Sequence, residues 1–319
     1  MQSLMATSRS DGNQAGLRIG TRGSPLALAQ ADETRARLIA AHPHLAAPRA
    51  IEICVIKTTG DKVQDRPLSE IGGKGLFTKE IEEALLAGEI DIAVHSMKDV
   101  PTWLPDGLVI GCLLPREDPR DVLIATAGNS IATLPPGAVV GSASLRRAAQ
   151  VKALRPDLSI VPLRGNVETR IAKVQRGDAT ATLLALAGLK RLHKQNVATA
   201  ILSVDEILPA VAQGAIGLET RADDDRVNTL LAPLNDRNTQ MRVAAERACL
   251  AVLDGSCRTP IAAFAELDGD VMRLRALIAL PDGSQVHRQD ATATASDAAA
   301  LGAQIGRKLK EIAGPDFLS

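Results

Sequence analysis

Two segments of this chain repeat one plan, a short apolar strand followed by a turn and a helix. In the first, a strand at residues 17–21 leads to Ser24 and Pro25, which are favoured as the N-cap and the first residue of a helix. In the second, a strand at residues 138–140 leads to a helix that begins at Ser144. Strands that alternate with helices in this way predict an α/β fold.

Both turns also place arginine at the N-terminus of a helix. Arg22 precedes the first helix, and Arg146 and Arg147 open the second. Unpaired backbone N–H groups and the helix dipole favour anions there, so the arginines predict a binding position for carboxylate or phosphate. For any one position, a solvated arginine on a well-capped helix is the alternative.

Further cations follow the ends of later elements. Arg164 follows a predicted strand, Arg170 lies near the first turn of a helix that ends at Gly177, and Lys190 and Arg191 come just past an apolar strand at 179–187. Arginine binds carboxylates bidentately. The repeated clustering therefore favours a ligand with several carboxylates.

An apolar strand that begins near Asp91 ends in a charged turn, Lys98-Asp99, which Pro101 closes. Ligands of open α/β sheets bind at the carboxyl ends of the strands, so Lys98 and Asp99 are candidates for chemistry. A surface turn with an incidental ion pair is the alternative.

The amino-acid composition argues against some classes of binding partner. Lysine plus arginine and aspartate plus glutamate each total 37, so the formal net charge is zero and no overall field gathers nucleic acid or an anionic membrane. Aromatic residues make up 1% of the 319 residues, too few for the stacking surfaces of RNA-binding proteins. We expect neither nucleic-acid nor membrane partners. The polar N-terminus predicts a disordered extension at 1–15 and a cytoplasmic protein.

The four cysteines show neither metal-ligand nor disulfide spacing, so no metal is expected. Cys54 and Cys112 fall in apolar runs, as buried cysteines do. Cys257 differs, because it lies in a polar turn beside Arg258, where a cation can lower the pKa of a thiol and increase its nucleophilicity.

The C-terminal part changes pattern. A helix at 241–253, a hairpin of strands at 261–267 and 271–280, and a helix at 296–313 predict a small α+β module. Upstream, the polar, glycine-rich segment 58–75 is predicted to be a mobile loop over the site, with an ordinary surface insertion as the alternative.

Six motifs stand in a fixed order along the chain: Thr21-Arg22-Gly23-Ser24-Pro25-Leu26-Ala27, His95-Ser96-Met97-Lys98-Asp99-Val100-Pro101, Arg116-Glu117-Asp118-Pro119-Arg120-Asp121, Ser144-Leu145-Arg146-Arg147, Leu163-Arg164-Gly165-Asn166-Val167 and Gly255-Ser256-Cys257. Together they closely resemble the porphobilinogen deaminases, also called hydroxymethylbilane synthases. The resemblance implies three domains, the first two resembling type II periplasmic binding proteins and the third a small α+β domain. The implied boundaries are 16–114 with 215–235, then 115–214, then 236–319. Residues 213–219 would form a hinge and a returning strand.

The resemblance also implies the activity. A dipyrromethane cofactor joined to Cys257 by a thioether would prime the addition of four porphobilinogen units, each with loss of ammonia, and hydrolysis would then release the linear tetrapyrrole. Asp99 would be the catalytic carboxylate, with Lys98 beside it, and the protein would be a monomer. The cofactor would be bound by Lys98, Asp99, Ser144, Arg146, Arg147, Arg170 and Arg191. The substrate would be bound by Arg22, Ser24, Lys74, Phe77, Arg164 and Arg170.

The sequence departs from the family pattern at Glu70, where some relatives carry lysine, and at Ser256-Cys257-Arg258-Thr259, where Gly-Cys-Gln-Val is common. Two other classes of function remain as alternatives. One is a cytoplasmic anion-binding or sensor module, which would not need Asp99 or an exposed Cys257. The other is a phosphate-transferring enzyme, but the sequence has no Walker-type loop.

Overall fold

A computed structural model of the chain describes residues 16–62, 75–253, 259–314 and 317. These residues form two five-stranded sheets and one three-stranded sheet, together with helices. The α/β fold predicted from the sequence is thus confirmed. Within the described ranges, the helices are all too short or too polar to cross a membrane.

The first sheet combines strands from two distant parts of the chain. Its strands are β1 (Leu17–Thr21), β2 (Ile51–Val55), β3 (Ile92–Ser96), β4 (Leu108–Leu113) and β10 (Ile216–Arg221). They lie in the order β2-β1-β3-β10-β4. Strand β1 is parallel to β2 and β3, whereas β10 is antiparallel to both of its neighbours. The accompanying helices are α1 (Pro25–Ala41), α2 (Thr59–Lys62), α3 (Lys79–Leu86) and α7 (Asp225–Leu231).

The second sheet repeats this plan within one continuous segment. Its strands are β5 (Asp121–Ala125), β6 (Val139–Gly141), β7 (Ser159–Val161), β8 (Ala181–Ala185) and β9 (Ala200–Ile201). Their order is β7-β6-β8-β5-β9, with three parallel strands followed by an antiparallel one, as in the first sheet. The helices are α4 (Leu145–Leu154), α5 (Val167–Gln175) and α6 (Leu186–Arg191). The duplicated strand-turn-helix plan is therefore present.

The first sheet with its helices forms the first lobe, and the second sheet with its helices forms the second lobe. The chain passes from the first lobe to the second through residues 114–120, the first crossing, and returns through residues 202–215, the second crossing. The third sheet is antiparallel and comes later in the chain than both crossings. It consists of β11 (Ile261–Asp268), β12 (Val271–Ala279) and β13 (Val286–Thr294), and it packs on α8 (Arg237–Val252) and α9 (Ala298–Ala313). The predicted hairpin is present, and its Gly269 has a φ of 56°, the left-handed conformation that glycine adopts without strain.

The core of this third module continues beneath the first sheet. Leu274 and Ile305 are fully buried between the sheet and α9. The same cluster includes Met97, just after β3, Leu113 of β4 and Val211 of the second crossing. The turn that follows β3 therefore rests on a shared core.

The apolar run at 179–187 was predicted to be one strand, and this is wrong at its C-terminal end. Strand β8 ends at Ala185, and α6 begins at Leu186. Consequently, Lys190 and Arg191 lie on a helix. The first four residues of α6 are all buried, so the apolar run continues from strand into helix without a change in pattern.

Two further boundaries differ from the prediction. Helix α8 begins at Arg237 rather than 241, because Asp236 caps it and accepts the backbone N–H of Thr239 at 2.7 Å. Helix α9 begins at Ala298, two residues later than predicted.

Strand β13 was not predicted, because it is a largely polar edge strand whose exposed residues alternate with small, half-buried ones. In the segment 58–75, predicted to be a loop, residues Thr59–Lys62 are helical. Residues 63–74, like the predicted extension 1–15, lie outside the described residues.

Candidate active site

The turn after β3 places Lys98 and Asp99 at a strand end, as predicted. Met97, which begins the turn, is 1% exposed, and its N–H donates to the carbonyl of Ala215 at 3.0 Å. Strand β10 passes directly beneath, and a Cβ added at Gly217 would come 2.0 Å from Met97 Sδ. Glycine in β10 therefore permits the packing that presents Lys98 and Asp99 at the surface.

Helix α8 holds the other end of the same turn. The guanidinium of Arg247 donates to the carbonyl oxygens of Val100 at 3.0 Å and Pro101 at 2.5 Å. The turn is thus fixed through its backbone by two distant parts of the chain. Its two charged side chains remain available for a ligand.

The arginine pair opens helix α4. Ser144 caps this helix by accepting the backbone N–H of Arg147 at 3.4 Å. Both guanidiniums are buried and share one carboxylate. The Nη1 of Arg146 lies 2.8 Å from Oδ2 of Asp121, and the Nη2 of Arg147 donates to Oδ1 of Asp121 at 2.7 Å.

Charges from both lobes act on Lys98. Desolvation lowers the pKa of Lys98 to about 8, and the cations Arg147 and Arg146 act in the same direction. Asp99 and Asp121 oppose them. Lys98 is exposed as a residue, but neighbouring protein atoms still desolvate its amine. The lysine of the first lobe is therefore within electrostatic range of the arginine pair of the second.

Arg170, on α5, belongs to the same cluster. Desolvation, with the charge of Arg147 acting in the same direction, lowers the pKa of Arg170 to about 10, whereas Asp99 opposes the shift. For Asp121, burial would raise the pKa, but the charges of Arg146 and Arg147 hold it well below its usual range. Four cationic side chains thus interact electrostatically with two carboxylic ones: Lys98, Arg146, Arg147 and Arg170 with Asp99 and Asp121.

Arg191 and Lys98 line a common cavity of about 30 Å³. The Nε of Arg191 lies 3.2 Å from the Glu33 carboxylate, and its Nη2 donates to the carbonyl of Gly214 at 3.0 Å. The volume is enough for a group the size of a water molecule but not for a pyrrole ring. In this geometry Arg191 links α6 to α1 through its ion pair with Glu33.

Strand β1 is parallel to β3 and beside it, so Arg22 and Ser24, which follow β1, lie at the same edge of the sheet as the Lys98–Asp99 turn. The guanidinium of Arg22 lies over the Phe77 ring, 4.2 Å from its centroid. Ser24 caps α1 by accepting the N–H of Ala27 at 3.3 Å. Arg164 follows β7 in the second lobe, and its carbonyl accepts the Nζ of Lys173 at 3.1 Å.

Cys257 and Lys74 lie outside the described residues, as do Glu70 and Arg258, so their roles stay predictions. The other cysteines behave as structural ones. Cys112 and Cys249 are buried, and desolvation raises the pKa of each to about 12. Cys54 is half-buried, with a pKa raised mainly by burial.

The sequence interpretation missed Asp121 and Gln213. It considered the cations and Asp99, but not a carboxylate that forms ion pairs with the cations and fixes their orientation. Asp121 ends one of the six motifs, and an aspartate at the start of an apolar strand is a signal, because burial of a charge requires a partner.

Fold and site define an α/β protein in which a lysine and a carboxylate lie within electrostatic range of a cluster of arginines, an arrangement suited to polyanionic ligands. Two family models match the chain: "Porphobilinogen deaminase, dipyromethane cofactor binding domain" over residues 17–229, and "Porphobilinogen deaminase, C-terminal domain" over residues 240–311. The chain belongs to the porphobilinogen deaminase family, enzymes of tetrapyrrole biosynthesis that carry a dipyrromethane cofactor.

Individual relatives agree over nearly the whole chain. A porphobilinogen deaminase of Paracoccus denitrificans (strain Pd 1222) is 61% identical, covering 94% of this chain and 96% of its own length. A chloroplastic porphobilinogen deaminase of Oryza sativa subsp. japonica is 57% identical, covering 94% and 85%. Among solved structures, the second substrate binding domain of a putative amino acid ABC transporter from Streptococcus pneumoniae is 13% identical, with a TM-score of 0.41 over 68% of this chain and 90% of that one.

Proposed function

We propose that this enzyme joins four porphobilinogen molecules head to tail, releases one ammonia for each, and frees the product as hydroxymethylbilane by hydrolysis. One observation carries the proposal. Asp99 is fixed at the end of β3, within electrostatic range of Arg170 and beside Lys98, in a cluster otherwise composed of cations and Asp121.

The residues of the site fit a dipyrromethane. Its acetate and propionate groups are carboxylates, which pair with guanidinium. The Nε atoms of Arg146 and Arg147 are buried and have no hydrogen-bond partner among the described residues, so this pair has donors that the protein does not use. When bound, the cofactor supplies the pyrrole to which the first substrate unit is joined. Its carboxylates would be held by Lys98, Ser144, Arg146, Arg147, Arg170 and Arg191, and its covalent link would be a thioether to Cys257.

Asp99 would act on the reacting ring. Loss of ammonia from porphobilinogen leaves an electron-poor ring whose positive charge reaches the pyrrole nitrogen. A fixed carboxylate that accepts this N–H stabilises the charge where it develops. The same carboxylate can take part in proton transfer during ammonia loss and ring deprotonation.

The remaining predicted residues would bind the incoming substrate. Arg22 and Arg164 would pair with its carboxylates, and the Ser24 hydroxyl lies next to Arg22 at the start of α1. Phe77 would pack against a pyrrole face. Lys74 was assigned to the same group by resemblance.

The experiment is the Asp99→Asn variant, with Asp106→Asn as the control. Asp106 is an exposed carboxylate seven residues further along the chain. Asp99→Asn keeps the shape of the side chain but removes its charge, so porphobilinogen turnover should fall by roughly two to four orders of magnitude. Asp106→Asn should match the wild type. Near-normal substrate consumption by Asp99→Asn would rule out the role.

We also propose that the protein works as a monomer in the cytoplasm, without nucleic-acid or membrane partners. Light scattering coupled to size-exclusion chromatography gives the mass in solution. A dimer mass at micromolar protein would overturn the monomer proposal.

A further inference from the structure

Asp121 is the first residue of β5 and is fully buried. Its Oδ1 accepts the Nη2 of Arg147 at 2.7 Å, and its Oδ2 lies 2.8 Å from the Nη1 of Arg146. A single carboxylate thus fixes two adjacent guanidiniums that would otherwise repel each other.

The same carboxylate determines how much positive charge the arginine pair presents. One negative charge against two positive ones leaves one uncompensated, in a water-poor region where charges interact strongly. Arg146 is also fixed by the Leu208 carbonyl, which accepts its Nη1 at 2.7 Å. The pair therefore cannot easily turn away to bulk water when Asp121 is removed.

Gln213 links Asp121 to the second crossing of the chain between the lobes. Its Nε2 donates to Oδ1 of Asp121 at 2.8 Å and to the carbonyl of Pro119, in the first crossing, at 2.7 Å. The backbone carbonyl of Gln213 accepts a hydrogen bond from the Nε of Arg116 at 2.9 Å. The next residue, Gly214, has a φ of 90° and accepts the N–H of Glu117. One glutamine amide thus joins both crossings to the carboxylate.

We propose that Asp121 is a positioning residue for the reaction, which orients Arg146 and Arg147 toward the ligand carboxylates and, through Gln213, makes their orientation depend on the geometry of the two crossings. This rests on the proposed function of the arginine pair. A rotation of one lobe relative to the other must change the backbone conformation of the two crossings. Such a rotation would therefore also change the orientation of Arg146 and Arg147.

The first test compares Asp121→Asn with Asp118→Asn. Asp118 lies in the same segment, but its carboxylate pairs with Arg120. Misorientation of the arginines should lower kcat/KM of Asp121→Asn for porphobilinogen by about 100-fold, whereas Asp118→Asn should stay close to the wild type. Equal activities of the two variants, with an active wild type, would overturn the inference. A wild type that does not consume porphobilinogen would instead contradict the proposed function.

A second readout separates positioning from a purely structural role. Asp121 is one of the two carboxylates that raise the pKa of Lys98, against Arg146 and Arg147. The alkaline limb of kcat/KM should therefore move to lower pH in Asp121→Asn and stay in place in Asp118→Asn. A variant that is merely unstable would lose activity without moving this limb, and that result would contradict the proposal.

Gln213→Met provides a variant that leaves all three charges in place. Methionine keeps the length of the side chain but cannot donate to Asp121 or Pro119. After mixing with limiting porphobilinogen, intact-protein mass spectrometry should show elongation intermediates in proportions different from the wild type. An unchanged distribution would show that the arginines do not depend on the crossings.

Discussion

Lys98 is exposed as a residue, but desolvation of its amine lowers its pKa to about 8. Its positive charge is thus fully present in acid, still largely present at neutral pH, and lost as pH rises through about 8. If this charge binds a ligand carboxylate, kcat/KM for porphobilinogen should fall above pH 8. In Lys98→Arg the fall should shift to higher pH, because guanidinium stays charged there.

A pH series of initial rates for both proteins checks this. The substrate titrates identically in the two measurements, so its own ionisation cancels in the comparison. If the limbs of wild type and Lys98→Arg coincide, Lys98 does not cause the fall.

Cys257 is expected to carry the cofactor through its sulfur, so Cys257→Ala should lack the covalent adduct of two pyrrole rings. Cys54→Ala is the matched control, because Cys54 is a partly accessible thiol on the edge strand β2. Intact-protein mass spectrometry measures both. An adduct that persists on Cys257→Ala would place the attachment elsewhere.

Single residues of the site could be predicted where their local sequence determines the structure. Ser24 and Ser144 cap helices as predicted, since a serine before an apolar helix pattern is a short-range signal. The partnership of Asp121 with Arg146 and Arg147 could not be predicted, because it joins residues 25 and 26 positions apart through the sheet. Local pattern carries no information about such a pair.

At the scale of elements, helix α8 connects the reactive turn to the third sheet. Arg247→Met would leave the carbonyls of Val100 and Pro101 without their guanidinium donor. We expect a loss of about 1–3 kcal/mol of stability and a fall in kcat, because the Lys98–Asp99 turn loses one of its two backbone anchors.

Arg242→Met is the control on the same helix, since Arg242 donates mainly within its own turns. Thermal melting and steady-state kinetics measure the two effects. A kcat for Arg247→Met equal to that of Arg242→Met would mean that β10 alone fixes the turn.

The boundaries of helices and strands could likewise be predicted only where the local sequence determines them. Helix α4 could be predicted from the serine at its start and from Pro156, near which it ends. Helix α6 could not, because burial of all its first four residues removes the periodicity that distinguishes helix from strand. Strand β13 was missed because its stability comes from pairing with β12 rather than from its own hydrophobicity.

At the scale of the whole molecule, one buried ion pair joins four parts of the chain. Arg116, just after β4, makes two bonds to Glu246 of α8, at 2.6 and 3.1 Å. Glu246 also accepts backbone N–H groups from Ala212 in the second crossing and Ala265 in β11. Both charged side chains are essentially inaccessible to solvent.

Glu246→Gln should therefore lower the free energy of unfolding by about 3–5 kcal/mol, the usual effect of leaving a buried charge without its partner. Asp290→Asn, which breaks an exposed pair with Arg273, should change the melting temperature little. Urea or thermal denaturation compares the two variants. Similar losses in both would show that the junction is not a centre of stability.

The position of β10 has a consequence for how the chain is made. Residues 121–201 supply every strand of the second sheet in one continuous segment. The first sheet is complete only when β10, Ile216–Arg221, has been inserted between β3 and β4. A nascent chain leaving the ribosome can complete its second sheet while the first still has a gap at its centre. The first lobe is thus translated first, but its sheet is the later of the two to be completed. Until β10 is in place, the edges of β3 and β4 that pair with it are accessible to chaperones.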